Sequence, residues 1–140
     1  KFLGKAAYTL ATLWQVLKLK SYPLKMETDG VSQQSDNVFI SVANTRYTGT
    51  HFLIAPEAVV DDGLLDVIIL KKLSRLRILK LFPSIYEGRH IEYEEVSSIK
   101  ARQIKLHAPE EMLLGPDGEF CGHSPAEITC LHKDLTVFCQ

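Results

Sequence analysis

Two short acidic turns hold the residue types best suited to chemistry. The first is Asp61-Asp62-Gly63, with apolar runs on either side. Adjacent carboxylates at a turn, together with free backbone carbonyls, suit a hard cation such as Mg²⁺. The same Asp-Gly pair is also a favoured hairpin turn that needs no ligand to explain it. The second is Pro116-Asp117-Gly118-Glu119. Such a turn can present its terminal carboxylate at the rim of a sheet, where it can accept a proton as a general base. Its simpler reading is a solvated turn. Arg89-His90 with Glu92 and Glu94 reads as a solvated charged face. Cys121, Cys130 and Cys139 lie nine residues apart, and Cys121-Gly-His123 and Cys130-Leu-His132 could meet across a hairpin as a zinc site. Residues i and i+2 of a strand share a face, however, and cysteine is commonly buried, so reduced core thiols are the better reading. There is no P-loop, dinucleotide-type glycine pattern, His-Glu-x-x-His or nucleophile elbow.

Positioning these turns falls to a chain of 140 residues, enough for one domain with its own core. Lys+Arg number 16 against 17 Asp+Glu, so the basic footprint of a nucleic-acid binder is missing. No apolar run reaches the length of a membrane span, and no signal peptide is evident. The sequence opens without Met inside a helical pattern, so it is expected to be a piece of a longer protein. Residues 3–19 place Leu3, Ala6, Ala7, Leu10, Leu13, Trp14 and Leu17 at helical steps, ended by Tyr22-Pro23. From there the pattern is period two. Val38–Val42, Phe52–Ala55 and Leu65–Leu70 read as buried strands, with an Asp29-Gly30 turn before them. A second helix is expected over 74–86, capped by Ser74 and ended or kinked by Pro83. Alternation then resumes at Val96 to Ala101, Ile104 and Leu106, Met112 to Leu114, Ile128 and Cys130, and Leu135 to Cys139. The expected fold is mainly β: an antiparallel β-sandwich with one N-terminal helix and one inserted helix.

Taken in order, these pieces resemble the lipid kinases that include the diacylglycerol, sphingosine and ceramide kinases. The matching stretch runs from about Val38 to the C-terminus. It comprises Val42-Ala43-Asn44, then Ala55-Pro56-Glu57-Ala58 leading into Asp61-Asp62-Gly63-Leu64-Leu65-Asp66. It continues through the Arg77 to Phe82 helix and Glu87-Gly88-Arg89-His90, and closes on Asp117-Gly118-Glu119. The most specific part is the first Asp-Asp-Gly segment followed, roughly fifty residues on, by Asp-Gly-Glu. Gly88-Arg89-His90 with Ile91-Glu92-Tyr93 looks closest to the sphingosine kinase branch.

The resemblance implies that this chain is the C-terminal, β-sandwich domain of a two-domain lipid kinase. An N-terminal domain outside this sequence would bind ATP through a Gly-Gly-Asp-Gly-Thr motif. Glu119 matches the base that activates the lipid hydroxyl. Asp62 matches a carboxylate ligand of a Mg²⁺ site, with the backbone carbonyls of Val59 and Leu64 as its companions. The implied substrate is a diacylglycerol or a long-chain sphingoid base. Location would be cytoplasmic, with peripheral membrane contact, and the chain alone would be inactive. A long acyl chain needs an accessible apolar surface, for which Val38–Val42, Phe52–Ile54 and Met112–Leu114 are candidates, although all three read first as ordinary core. The main alternative is a non-catalytic β-sandwich module that binds lipid or protein. A dinucleotide kinase, which shares the two-domain plan, ranks below both.

Overall fold

The computed structural model describes Trp14, Lys18 and residues 20–49, 51–109 and 112–136. The helix expected over 3–19 lies outside the described residues except at Trp14 and Lys18, which are helical. Six strands follow: β1 (Tyr22–Thr28), β2 (Val31–Ala43), β3 (Leu65–Lys71), β4 (Val96–Ala101), β5 (Gln103–His107) and β6 (Ala126–Thr129). All neighbouring pairs are antiparallel, in the order β4-β3-β2-β1-β5-β6.

One long strand makes this sheet sandwich-like. β2 pairs with β1 over Val31–Asn37 and with β3 over Asn37–Ala43, and its register slips between Asn37 and Phe39. A bulge of this kind lets a strand pass from one leaf to the other. A single residue, Arg102, joins β4 to β5, which pair on opposite wings of the sheet. Asp29 secures that corner. Its carboxylate accepts the Arg102 N–H at 3.1 Å and the Gln103 N–H at 2.8 Å, and its own N–H donates to Gln103 O. Asp29→Ala is therefore expected to lower unfolding free energy by about 1–2 kcal/mol, because it orphans two amides. Urea denaturation checks this, and a loss below about 0.3 kcal/mol would discount the corner.

The leaves enclose Leu24, Met26, Leu65, Val67, Ile69, Ala101, Ile104 and Leu106, flanked by Ile40, Val42, Ile99, Met112 and Ile128. Within each strand these residues alternate, which is the period-two signal read from the sequence. A second cluster lies on the other face of β3 and β4. There Ile68, Ala43 and Val96 pack under Ile54, Ala55, Ala58 and Leu81, which come from residues outside the strands.

The inserted helix is shorter than expected. α1 (Arg75–Leu81) is capped by Ser74, whose Oγ accepts the Arg77 N–H at 3.3 Å. At Phe82 the chain tightens into a 3₁₀ turn, Phe82–Tyr86, with Pro83 in its first turn. Proline has no N–H for an α-helical bond, and its ring crowds the preceding turn. Arg77 then ties α1 to the loop before β4 through Glu95, at 2.7 Å.

Two strand expectations fail, and a third lies mostly outside the described residues. Phe52–Ala55 is loop, apart from a single bridge between Thr48 and Phe52. Its apolar side chains do seek the core, and Ile54 and Ala55 are buried. Its backbone is instead satisfied one residue at a time: Leu53 N–H by Ile85 O and Ala55 N–H by Arg46 O. Met112 to Leu114 forms an isolated bridge, Leu113 to His123, not a strand. Leu135 is 81% exposed outside any strand, and Val137 and Cys139 fall outside the described residues. Val38–Val42 is strand as expected but less buried, with Phe39 on the surface.

Candidate functional site

The Asp61-Asp62-Gly63 turn does not join two strands. It ends the long loop after β2 and delivers the chain into β3. Within it the Asp62 Oδ1 accepts the Leu64 N–H at 2.9 Å, a side-chain-to-backbone turn typical of aspartate. The Asp62 N–H points at Val59 O across 3.5 Å. The turn thus brings Asp62 beside the Val59 carbonyl and the Leu64 amide. Gly63 closes it with φ +78°, in the left-handed region, and a Cβ there would fall 2.6 Å from His132 Nδ1. Between this turn and residues 129–133 lies a cleft of about 280 Å³ that also touches Asn44 and Val60.

The other oxygen of Asp62 meets a residue that the sequence did not single out. Lys100 Nζ lies 3.1 Å from Asp62 Oδ2, 3.2 Å from Asp66 Oδ2 and 3.1 Å from Glu57 O. Asp66 and Lys100 are directly opposed in the β3–β4 ladder, on the face away from the main core. Asp66 is 1% exposed, and its Oδ1 has no partner among the described residues. The Leu64 amide holds the Asp62 carboxyl below its ordinary pKa, against some desolvation, with the Lys100 ammonium acting in the same direction. At Lys100, desolvation opposes the charge, but hydrogen bonds to Asp62 and Asp66 outweigh it and raise its pKa. This donor set consists of carboxylate and carbonyl oxygens, the chemistry of a hard divalent cation. Each Asp62 oxygen keeps a lone pair, and Val59 O is only loosely engaged, so the residues fit such an ion.

Glu119 sits on a different loop. Residues 112–124 fold back on themselves, with Leu114 N–H to Gly122 O at 3.1 Å and Cys121 N–H to Leu114 O at 2.9 Å. Pro116–Gly118 makes a 3₁₀ turn in which Asp117 takes φ 48°, and Glu119 follows in extended geometry. Its carboxylate is exposed, and among the described residues no hydrogen bond or ion pair engages it or links it to Asp62. Next to it in the chain Phe120 is 81% exposed, and Leu113, opposite His123 in the same loop, is 60% exposed.

The Arg89-His90 cluster divides. Arg89 makes exposed ion pairs with Glu87 and Glu92, as expected of a solvated face. His90 contradicts that reading. It is 2% exposed, and its Nε2 is 2.9 Å from Ile54 O. Since a carbonyl can only accept, Nε2 carries the proton, and the imidazole secures the loop that the sequence took for a strand. Burial depresses the His90 pKa, with the Ile54 bond opposing. A base whose folded pKa lies below its unfolded value binds its proton more readily when unfolded. Its full contribution to stability therefore holds above about pH 6.5 and is lost as pH falls below that. Denaturation midpoints between pH 7.5 and 5 should drop more for the native chain than for His90→Leu, and equal slopes would refute this. Cys121 and Cys130 are free thiols, and no group of three metal-binding side chains occurs among the described residues.

Comparison with known proteins places these features. Residues 1–139 match the family described as the YegS C-terminal NAD kinase beta sandwich-like domain. The chain belongs to that family. As a YegS-type C-terminal domain, it is 34% identical over 135 residues to a diacylglycerol kinase of Mycobacterium tuberculosis, covering 96% of this chain and 43% of the relative. A diacylglycerol kinase of Bacillus subtilis is 29% identical over 135 residues, with 96% and 45% covered. The crystal structure of a diacylglycerol kinase from Bacillus anthracis superposes with a TM-score of 0.70 at 26% identity, over 89% of this chain and 42% of that one. The domain thus spans less than half the length of these relatives. It is the C-terminal domain of a diacylglycerol-kinase-like lipid kinase family.

Proposed function

We propose that this domain forms the lipid side of an ATP-dependent kinase that phosphorylates the hydroxyl of a diacylglycerol, with a long-chain sphingoid base as the second substrate class. The observation that carries the reading is the match to proteins named diacylglycerol kinase over 96% of the chain. On this reading ATP sits mainly on an N-terminal domain, and the two acidic turns face the cleft between the domains. Glu119 accepts the proton of the lipid hydroxyl as its oxygen bonds to the γ-phosphorus. The bond from that phosphorus to the bridging oxygen of ADP then breaks. The free Glu119 carboxylate suits this role, because no counter-ion must first be displaced. Asp62 would hold Mg²⁺ with the carbonyls of Val59 and Leu64. Such an ion would act as a structural or relay cation that steadies the turn near the cleft, distinct from the metal that accompanies ATP.

The exposed Phe120 and Leu113 on the loop that carries Glu119 support brief contact with a bilayer surface, where the substrate resides. On this reading the contact is peripheral and made from the cytoplasm; no helix among the described residues is long and apolar enough to cross a membrane. The test compares the full-length protein with this domain alone, using mixed vesicles containing diacylglycerol and labelled ATP with Mg²⁺. Label should enter lipid only with the full-length protein. Turnover by the domain alone would contradict the division of labour.

A further inference from the structure

The ammonium of Lys100 occupies the middle of the Asp62 turn and uses all three of its N–H donors there, on Glu57 O, Asp62 and Asp66. Resting on the reading of Asp62 as a cation ligand, we propose that Lys100 sets the divalent-cation affinity of this turn, holding it low so that the ion remains exchangeable.

Charge and geometry lead to the same sign. Two carboxylates and one ammonium leave the constellation at a net single negative charge, and without the lysine it doubles. Attraction for a divalent ion at contact distance scales with that charge. Removing Lys100 would not set Asp62 adrift, because the Leu64 N–H still pins Oδ1. Asp66 cannot turn to water for compensation. Its side chain is 2% exposed, and its Oδ1 already lacks a partner among the described residues. An incoming cation is then the most accessible source of positive charge. The opposite change has the opposite result: neutralising Asp66 leaves the lysine facing Asp62 alone and weakens the attraction for metal.

The experiment is Mn²⁺ binding to the nucleotide-free full-length protein, followed by the loss of the free-ion EPR signal. Asp62→Asn defines the signal that belongs to this turn. Lys100→Gln should tighten the Asp62-dependent binding about tenfold or more, Lys100→Arg should leave it near native, and Asp66→Asn should weaken it. Thermal unfolding of Lys100→Gln should also become Mn²⁺-dependent where that of the native protein is nearly indifferent. If Asp62-dependent binding is present but Lys100→Gln binds equally or more weakly, Lys100 is only a structural tie and the proposal is overturned. If Lys100→Gln does not fold, unchanged or tighter binding by Asp66→Asn overturns it instead. If no binding depends on Asp62 in any variant, the cation role of Asp62 falls and this proposal falls with it.

Discussion

Glu119→Gln in the full-length protein should cut phosphoryl transfer to lipid by about 10²–10⁴-fold, the range associated with losing a positioned proton acceptor. The substitution keeps shape and hydrogen-bonding capacity but removes the basic lone pair and the charge. The fold should not notice it. The Glu119 side chain is exposed and engages none of the described residues, while its backbone N–H donates to Pro116 O at 2.9 Å within the turn. Thermal midpoint and lipid KM should thus stay near native while kcat falls. If turnover stays within a few-fold of native, Glu119 is not the base.

Gly88→Ala is expected to cost about 2–4 kcal/mol of stability from two sources. Gly88 sits at φ +72°, where an L side chain is strained, and it caps the 3₁₀ turn that carries His90. A Cβ there would stand 2.8 Å from Leu53 Cδ2 and 2.9 Å from Pro56 Cβ. Pro56 cannot give way easily, since it lies beside the buried Ala55 that packs on β3. Urea denaturation reads the loss directly, and a change below about 0.5 kcal/mol would mean that the 53–56 loop yields. Because this loop leads into the Asp62 turn, metal-dependent properties should move with it.

The strands were legible in the sequence where one face packs against the opposing leaf, since Leu24 and Met26, and Ile104 and Leu106, alternate with polar residues, while β3 was legible as a β-branched apolar run buried on both faces. Phe52–Ala55 misled because burial does not require a ladder: a loop can bury Ile54 and Ala55 when single hydrogen bonds satisfy its amides. The polar first half of β2, Val31–Asp36, carried no apolar signal because its side chains face solvent, Ser35 alone being half-buried. At the candidate site, the Asp62 turn was visible as a motif, but its partner was not. Lys100 lies 38 residues away and meets Asp62 only through the β3–β4 register. One signal did exist. Asp66 interrupts the apolar run Leu64-Leu65-Asp66-Val67-Ile68-Ile69, and a carboxylate buried in such a strand requires a cation opposite it. His90 was hidden for a different reason: charged neighbours at Arg89 and Glu92 made a buried residue look solvated.

On this reading the domain serves phosphoryl transfer to a lipid hydroxyl and not to a dinucleotide. The most direct measurement gives the full-length protein labelled ATP and Mg²⁺, with diacylglycerol and sphingoid-base vesicles and NAD offered side by side. Label in phosphorylated lipid, with none in NADP, is the predicted result. Label in NADP alone, or in neither acceptor, would contradict it.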